Sequence, residues 1–318
     1  MLNRQVPLTK ARKVSRGILL ILGLSVGAIS PGWAQLSSFH AQYFQDQYLV
    51  NPAMAGIEGG LSINVGYQML NTNTAGSPNA KFATGEYAFG DKAAIGLLVN
   101  SDQAGLIART RIMGTYAYHL NLNETDKLSF GLSLGMNSTH FQADQVIGDQ
   151  GDQSAALYNA RPAYVDGDFG IAYTGNQLNV QAAVPNLRSL FFKSADQSLA
   201  PYRSNMYMAL SYKIPLANDD NSTTVEPKLA YRGFKNIDGI VDLGANVSML
   251  NNHLNLSGMY HTNQSMTIAA GLGIRQVGLV FSYTNDMGPF KTYAANTFEI
   301  GLKFRLLERN DDERPNAY

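Results

Sequence analysis

The sequence predicts an all-β protein, a transmembrane antiparallel β-barrel of about fourteen strands behind a short N-terminal segment of different character. Three observations predict it. From Gly60 onward the dominant hydrophobic period is two, the period of a strand whose faces meet unlike surroundings. Charged residues make up only 15% of the chain, against roughly 25% in soluble domains, while the hydrophobic share is an ordinary 45%. The connections between alternating runs sort into short ones on one rim and long ones on the other.

The alternation is read directly from the residues. In "LSINVGYQM", Leu61, Ile63, Val65, Tyr67 and Met69 share one face, and Ser62, Asn64, Gly66 and Gln68 the other. In "LSFGLSLGMN", Leu128, Phe130, Leu132, Leu134 and Met136 oppose Ser129, Gly131, Ser133, Gly135 and Asn137. "VDLGANVSM" and "MTIAAGLGI" repeat the pattern at 241–249 and 266–274. The expected strands are 60–70, 79–89, 93–101, 107–121, 127–142, 163–174, 177–185, 202–216, 222–234, 239–250, 253–263, 265–275, 277–285 and 296–307. A soluble β-sandwich also alternates, but its strands are usually shorter and its polar face carries more Lys and Glu than this Gly-, Ser- and Asn-rich one. Leu132, Leu134, Leu243 and Leu272 are therefore expected to meet lipid. Gly131, Ser133 and Gly244 face the lumen, where an added polar side chain is tolerated if there is room. The final strand sets Phe298, Ile300, Leu302, Phe304 and Leu306 outward.

The short connections place Asn176 and Asn252 in the periplasm, with Asp149, in the long 143–162 loop, at the cell surface. The ends of the chain complete the organisation. Lys10, Arg12, Lys13 and Arg16 precede the apolar run 17–29, and "GWA" puts small residues before Gln35, so 1–34 reads as a cleavable signal peptide for export. Residues 35–59 form the N-terminal segment, 60–307 the barrel and 308–318 a polar tail.

Several function classes lack their residues. Lys plus Arg equal Asp plus Glu at 24 each, so no basic field for nucleic acid exists. No Cys occurs, and the five His, at 40, 119, 140, 253 and 261, have no metal-ligand spacing. Asp144, Asp149 and Asp152 lack the order of a calcium loop. No nucleophile elbow or phosphate loop is present. The reading is a non-enzyme with no catalytic, cofactor or metal residues and no cofactor. Glu226, Lys228 and Arg232 on one strand, and Arg109 and Arg111 on another, are placed inward by the cost of charge in lipid. They make either an internal ion-pair network or the selectivity lining of an open pore.

The segment "AQYFQDQYLVNPAMAG" (41–56) neither alternates nor suits a helix, because Pro52 interrupts it. It precedes the first strand, so it is expected to begin in the periplasm. Asn-Pro fixes an extended or turned backbone, Ala-x-Ala-Gly allows close approach, and Tyr43, Phe44 and Tyr48 can anchor against a wall. The expectation is a latch or plug in or under the lumen, built from Tyr43, Phe44, Tyr48, Asn51, Pro52, Ala53 and Gly56. The alternative is a spacer beside the first strand.

Those residues, with Ala55, resemble the opening motif of the PorP/SprF family of outer-membrane proteins of the type IX secretion system of Bacteroidota. "VPNL" (184–187), "EPKLAYRG" (226–233) and "TFEIGLKF" (297–304) are similar to later family elements, in the same order. The resemblance implies an outer-membrane barrel embedded in outer-membrane lipid. It implies as partners type IX secretion components or a large secreted surface protein, such as an adhesin of gliding motility. The competing function is a passive or gated solute transport barrel.

Overall fold

The computed structural model describes residues 41–71, 77–142, 159, 162–191, 204–216, 223–234, 238–288 and 296–307. The expected signal peptide, the polar tail, Asp149 and nearly all of the 143–162 loop lie outside the described residues. The strands are β1 (Leu61–Asn71), β2 (Asn79–Phe89), β3 (Ala93–Ala104), β4 (Ile107–Asn121), β5 (Lys127–Phe141), β6 (Tyr164–Thr174), β7 (Leu178–Val184), β8 (Ser204–Tyr212), β9 (Ile214–Pro215), β10 (Thr224–Phe234), β11 (Ile240–Met249), β12 (Leu254–His261), β13 (Ser265–Ile274), β14 (Val277–Asp286) and β15 (Asn296–Leu306). β8 and β9 pair with the same strand, β10, and occupy one place in the wall, interrupted at Lys213. The wall therefore has the fourteen places the sequence predicts.

Every neighbouring pair is antiparallel, and the sheet closes: β15 pairs with β1, and β10 with β11. Closure leaves no open edge, which is what a spanning β-structure in lipid requires. The alternation decides which face is which. On β5, Leu132 and Leu134 are 57% and 66% exposed, whereas Ser129 and Asn137 are fully buried. Leu243 and Leu272 are likewise exposed. Apolar residues outside and polar residues inside are the reverse of a soluble sandwich, and the expected faces hold. Among the described residues no helix is long and apolar enough to cross a membrane; the strands do so.

The connections 90–92, 122–126, 175–177, 250–253 and 275–276 lie on one rim, with the start of β1 and the end of β15. Asn251 and Asn252 turn the chain at positive φ, 54° and 65°, a region Asn tolerates better than most residues. The opposite rim is not uniformly long: 105–106 and 262–264 are turns of two and three residues.

Before β1, residues 41–54 make three single-turn 3-10 helices, Ala41–Phe44, Gln47–Leu49 and Pro52–Met54. The third is started by Asn51, whose side chain accepts the Ala53 N–H at 3.0 Å, with Pro52 at its first position. Proline suits that position because its missing N–H would have no helical partner. The segment packs against inward-facing side chains around the ring, so it does not hang below the barrel.

Candidate functional site in the lumen

The segment meets the wall at three levels. Nearest the short-turn rim, the Gly56 N–H donates to Glu86 Oε2 at 2.8 Å, and His119 Nε2 lies 3.0 Å from the Ala55 carbonyl. A carbonyl only accepts, so the proton is on Nε2, and Nδ1 faces the Ser129 hydroxyl at 2.8 Å. Gly56 holds φ +72°, and a Cβ there would collide with Ala94. Left-handed backbone and lack of space both demand glycine.

In the middle, Tyr48 donates to Thr115 Oγ1 at 2.7 Å, and the Asn51 amide donates to Gln181 at 3.2 Å. Gln47 accepts from Asn179 and Gln181. Asp46 accepts the Thr84 hydroxyl at 3.0 Å. Burial pushes the Asp46 carboxyl above its ordinary range, with the Lys303 charge opposing. The inner wall is thinned where the segment passes. A Cβ at Gly96 would strike Tyr48, at Gly131 the Pro52–Ala53 peptide, at Gly170 Asn51 and at Gly301 Gln42.

At the highest level, Tyr43 donates to Asp242, which also takes two hydrogen bonds of 2.7 Å from Arg232 and one of 2.5 Å from His261. The Tyr43 ring stands edge-on to Tyr207, centroids 6.1 Å apart. Lys228 donates to the Phe44 carbonyl at 2.9 Å and stands over its ring. The Ala41 N–H donates to Glu299 at 2.7 Å.

All seven residues singled out from the sequence thus contact the inner wall or lie buried beside it. Tyr43 and Phe44 stack together against β8, β10 and β11, with ring centroids 4.5 Å apart. Tyr48 faces β3 and β4 instead, and Asn51, Pro52 and Ala53 lie against β5 and β6. Several inward charges are paired: Arg232 with Asp242, Lys228 with Glu226 and Arg111 with Asp168. Arg109 and Arg111 line a cavity of about 100 Å³ bounded below by Tyr48, Leu49 and Pro52. The expected room at Gly131 and Gly244 is absent. A Cβ at the first meets the segment, and one at the second meets Gly258 and Met259 of β12.

Sequence reasoning missed the wall partners Glu86, His119, Asp242, His261 and Glu299. The signal was present, since period two puts each on the inward face of its strand. Among the described residues no group of His, Asp and Glu could hold a metal ion.

Several solved structures are similar in outline. The outer-membrane protein Omp33 of Acinetobacter baumannii aligns over 79% of this chain and 100% of its own, at 10% identity and a TM-score of 0.46. The CymD monoaromatic hydrocarbon channel aligns over 89% of this chain and 96% of its own, at 12% identity and 0.49. The toluene transporter TodX of P. putida aligns over 82% and 94%, at 9% identity and 0.44. Such values carry no argument about cargo. No curated protein matches the chain. The family described as type IX secretion system membrane protein PorP/SprF matches residues 33–304. With that match over most of its length, closed on itself as an outer-membrane barrel, the chain belongs to the PorP/SprF family.

Proposed function

We propose that this barrel works in type IX protein secretion by binding a secretion component or by holding a secreted surface protein, such as an adhesin, at the cell surface. In this reading residues 35–59 are its plug. The chain is exported by a signal peptide cleaved before Gln35, and it is not an enzyme. One observation carries the reading: the lumen is crossed by the chain's own segment, fixed to opposite walls at Thr115, Gln181, Lys228 and Asp242. A lumen filled in this way suits a platform better than a conduit. A solute path would have to displace Tyr43 and Tyr48, both nearly fully buried.

The test is isolation from native membranes through a tag on the barrel, together with liposome swelling. The platform reading expects a large secretion component or secreted surface protein at near-equal stoichiometry, and no swelling with small solutes. A barrel that purifies alone and passes a defined solute would establish the transport reading instead.

A further inference from the structure

We propose that the outer wall carries a lipid site: a hollow beside the end of β7 seats one acyl chain of an outer-leaflet lipopolysaccharide, whose phosphate-bearing headgroup meets Arg188. A break in the wall makes the site. β7 stops at Val184, opposite Phe169, while β6 runs on to Tyr164. Pro185 has no N–H to extend the ladder, and Asn186 turns the chain at φ 58°. Single hydrogen bonds then tie the turn to β6. Asp168 accepts the Asn186 N–H at 2.9 Å, the Gly167 carbonyl accepts the Leu187 N–H at 2.8 Å, and Asp166 accepts the Arg188 N–H at 3.0 Å.

These bonds lay the next residues on the outside of the barrel. Gly167 is paired with outward-facing Leu134, and a Cβ on it would stand 3.6 Å from the Leu187 side chain. A one-turn helix, α1 (Arg188–Phe191), follows, with Phe191 75% exposed. Between this overhang and the wall lies a hollow of about 500 Å³, bordered by Leu132, Leu134, Val165, Leu187 and Phe191. Small-molecule sites run from roughly 300 to 1,000 Å³. Apart from Ser133, Asp166 and Arg188, the residues around it are apolar or glycine.

Depth and chemistry name the occupant. With a rise of about 3.3 Å per residue and a tilt of about 40°, Leu132 stands about 13 Å above the start of β5, and Val165, level with Met136, about 23 Å. The apolar band of such barrels is about 25 Å tall. The hollow therefore spans the half of the band away from the short turns, and with those turns in the periplasm that half is the outer leaflet. Polar chain is costly at this depth. Residues 193–198 of the sequence, Lys-Ser-Ala-Asp-Gln-Ser, are ill-suited to it, whereas an acyl chain matches it. A recess under an overhang touches such a chain on more than one side and so holds it more closely than flat wall does. At the upper edge the Arg188 guanidinium stands over the Tyr164 ring, 4.7 Å from its centroid. Tyr164 is level with Asn137, about 25 Å up, which is headgroup depth. Arginine suits phosphate oxygens there, and lipopolysaccharide supplies both phosphate and acyl chains. The proposal rests on the outer-membrane placement and is independent of which partner the barrel holds.

The experiment extracts the full-length protein from native outer membranes in mild detergent, weighs it intact by native mass spectrometry and identifies the mass it releases. Val165→Trp fills the hollow. Arg188→Gln removes the charge but keeps the backbone bond to Asp166. Leu243→Trp adds the same bulk to exposed wall elsewhere. Wild type and Leu243→Trp should retain one lipopolysaccharide per barrel, Val165→Trp at least tenfold less and Arg188→Gln severalfold less, with heat-modified gel migration showing that each is folded. If Val165→Trp does not fold, Leu134→Trp is read in its place with the same expectation. A wild type that retains phospholipid alone, or no lipid, overturns the proposal, and so does equal retention by Val165→Trp or by Arg188→Gln. A second copy or another protein that Val165→Trp releases assigns the hollow to that occupant and overturns it too.

Discussion

Gly131→Leu is the sharpest perturbation of the lumen. The backbone of Gly131 approaches the Pro52–Ala53 peptide so closely that a Cβ would occupy the same space. Overpacking usually costs about 1–3 kcal/mol, and the upper end applies here because the obstacle is backbone and cannot change rotamer. At about 1.4 kcal/mol per factor of ten, 3 kcal/mol shifts the balance between seated and displaced segment by more than a hundredfold. The barrel itself should survive, because the strand pairs of β5 with β4 and β6 do not involve the segment. The control is Gly114→Leu on the neighbouring strand. Gly114 points outward, and its Cβ would have nothing nearer than 3.8 Å. In planar bilayers the wild type and Gly114→Leu should be mostly silent, while Gly131→Leu should open at least a hundred times more often. If Gly131→Leu folds and stays as silent as its control, the segment does not occlude the lumen and the argument fails.

Leu132→Arg should lower outer-membrane yield, since Arg near the bilayer midplane costs about 2–4 kcal/mol, while Ser133→Asn should cost less; equal loss on quantitative blots would undo the face assignment. Tyr43→Phe removes one hydrogen bond to a charged acceptor, worth about 1.5 kcal/mol or more, and should raise channel openings roughly tenfold. Asp242→Ala is harsher. It leaves the Arg232 charge buried without its carboxylate, at about 3–5 kcal/mol, and should show as a lowered unfolding temperature by heat-modified gel migration. The raised Asp46 carboxyl gives a pH signature. Its protonated form fits the buried seat, so seating is firm in acid and weakens as pH rises through the raised value. Openings should be rarer near pH 4 than near pH 8, and Asp46→Asn should flatten the difference.

Strands and faces were legible because each depends on local alternation. Ser129 and Leu132 carry their own address in sequence, whatever the rest of the barrel does. The break at Lys213 was not legible, because Tyr212 and Ile214 continue the apolar run and the interruption exists only in the pairing with β10. The aromatic anchors of the segment were legible by composition, but their partners were not. Tyr43 meets Asp242 across 199 positions and Ala41 meets Glu299 across 258, and alternation says only that each carboxylate faces inward. Covalent attachment to β1 fixes only one end, while the contacts that lift the other end are non-local. Alternation puts Gly131 on the lumen face, and Gly96 and Gly170 share that orientation, but it gives no reason for glycine at these places. What thins the wall there is the segment lying against it.

Four inward titratable side chains answer a need beyond the ion pairs of the wall. A stretch of single-turn 3-10 helices leaves backbone groups unpaired, and at membrane depth such backbone is tolerated only where protein satisfies it. The wall does so one group at a time. Glu299 takes the Ala41 N–H, Lys228 holds the Phe44 carbonyl, His119 the Ala55 carbonyl and Glu86 the Gly56 N–H. Each of these four sits where the segment lacks a backbone partner, and none contacts a side chain of the segment through that bond. These four are therefore placed for the segment's main chain, which any sequence would present, whereas Asp242 meets the Tyr43 side chain. Tyr43, Tyr48 and Asn51 supply the side-chain fit that selects this segment. Removing one wall charge should strand a buried backbone group, at about 1–3 kcal/mol, without changing which residues occupy the lumen. Crosslinking from Cys at Thr115 to Cys at Tyr48 should therefore persist in Glu86→Ala, and its loss there would show that the wall partners choose the occupant as well as hold it.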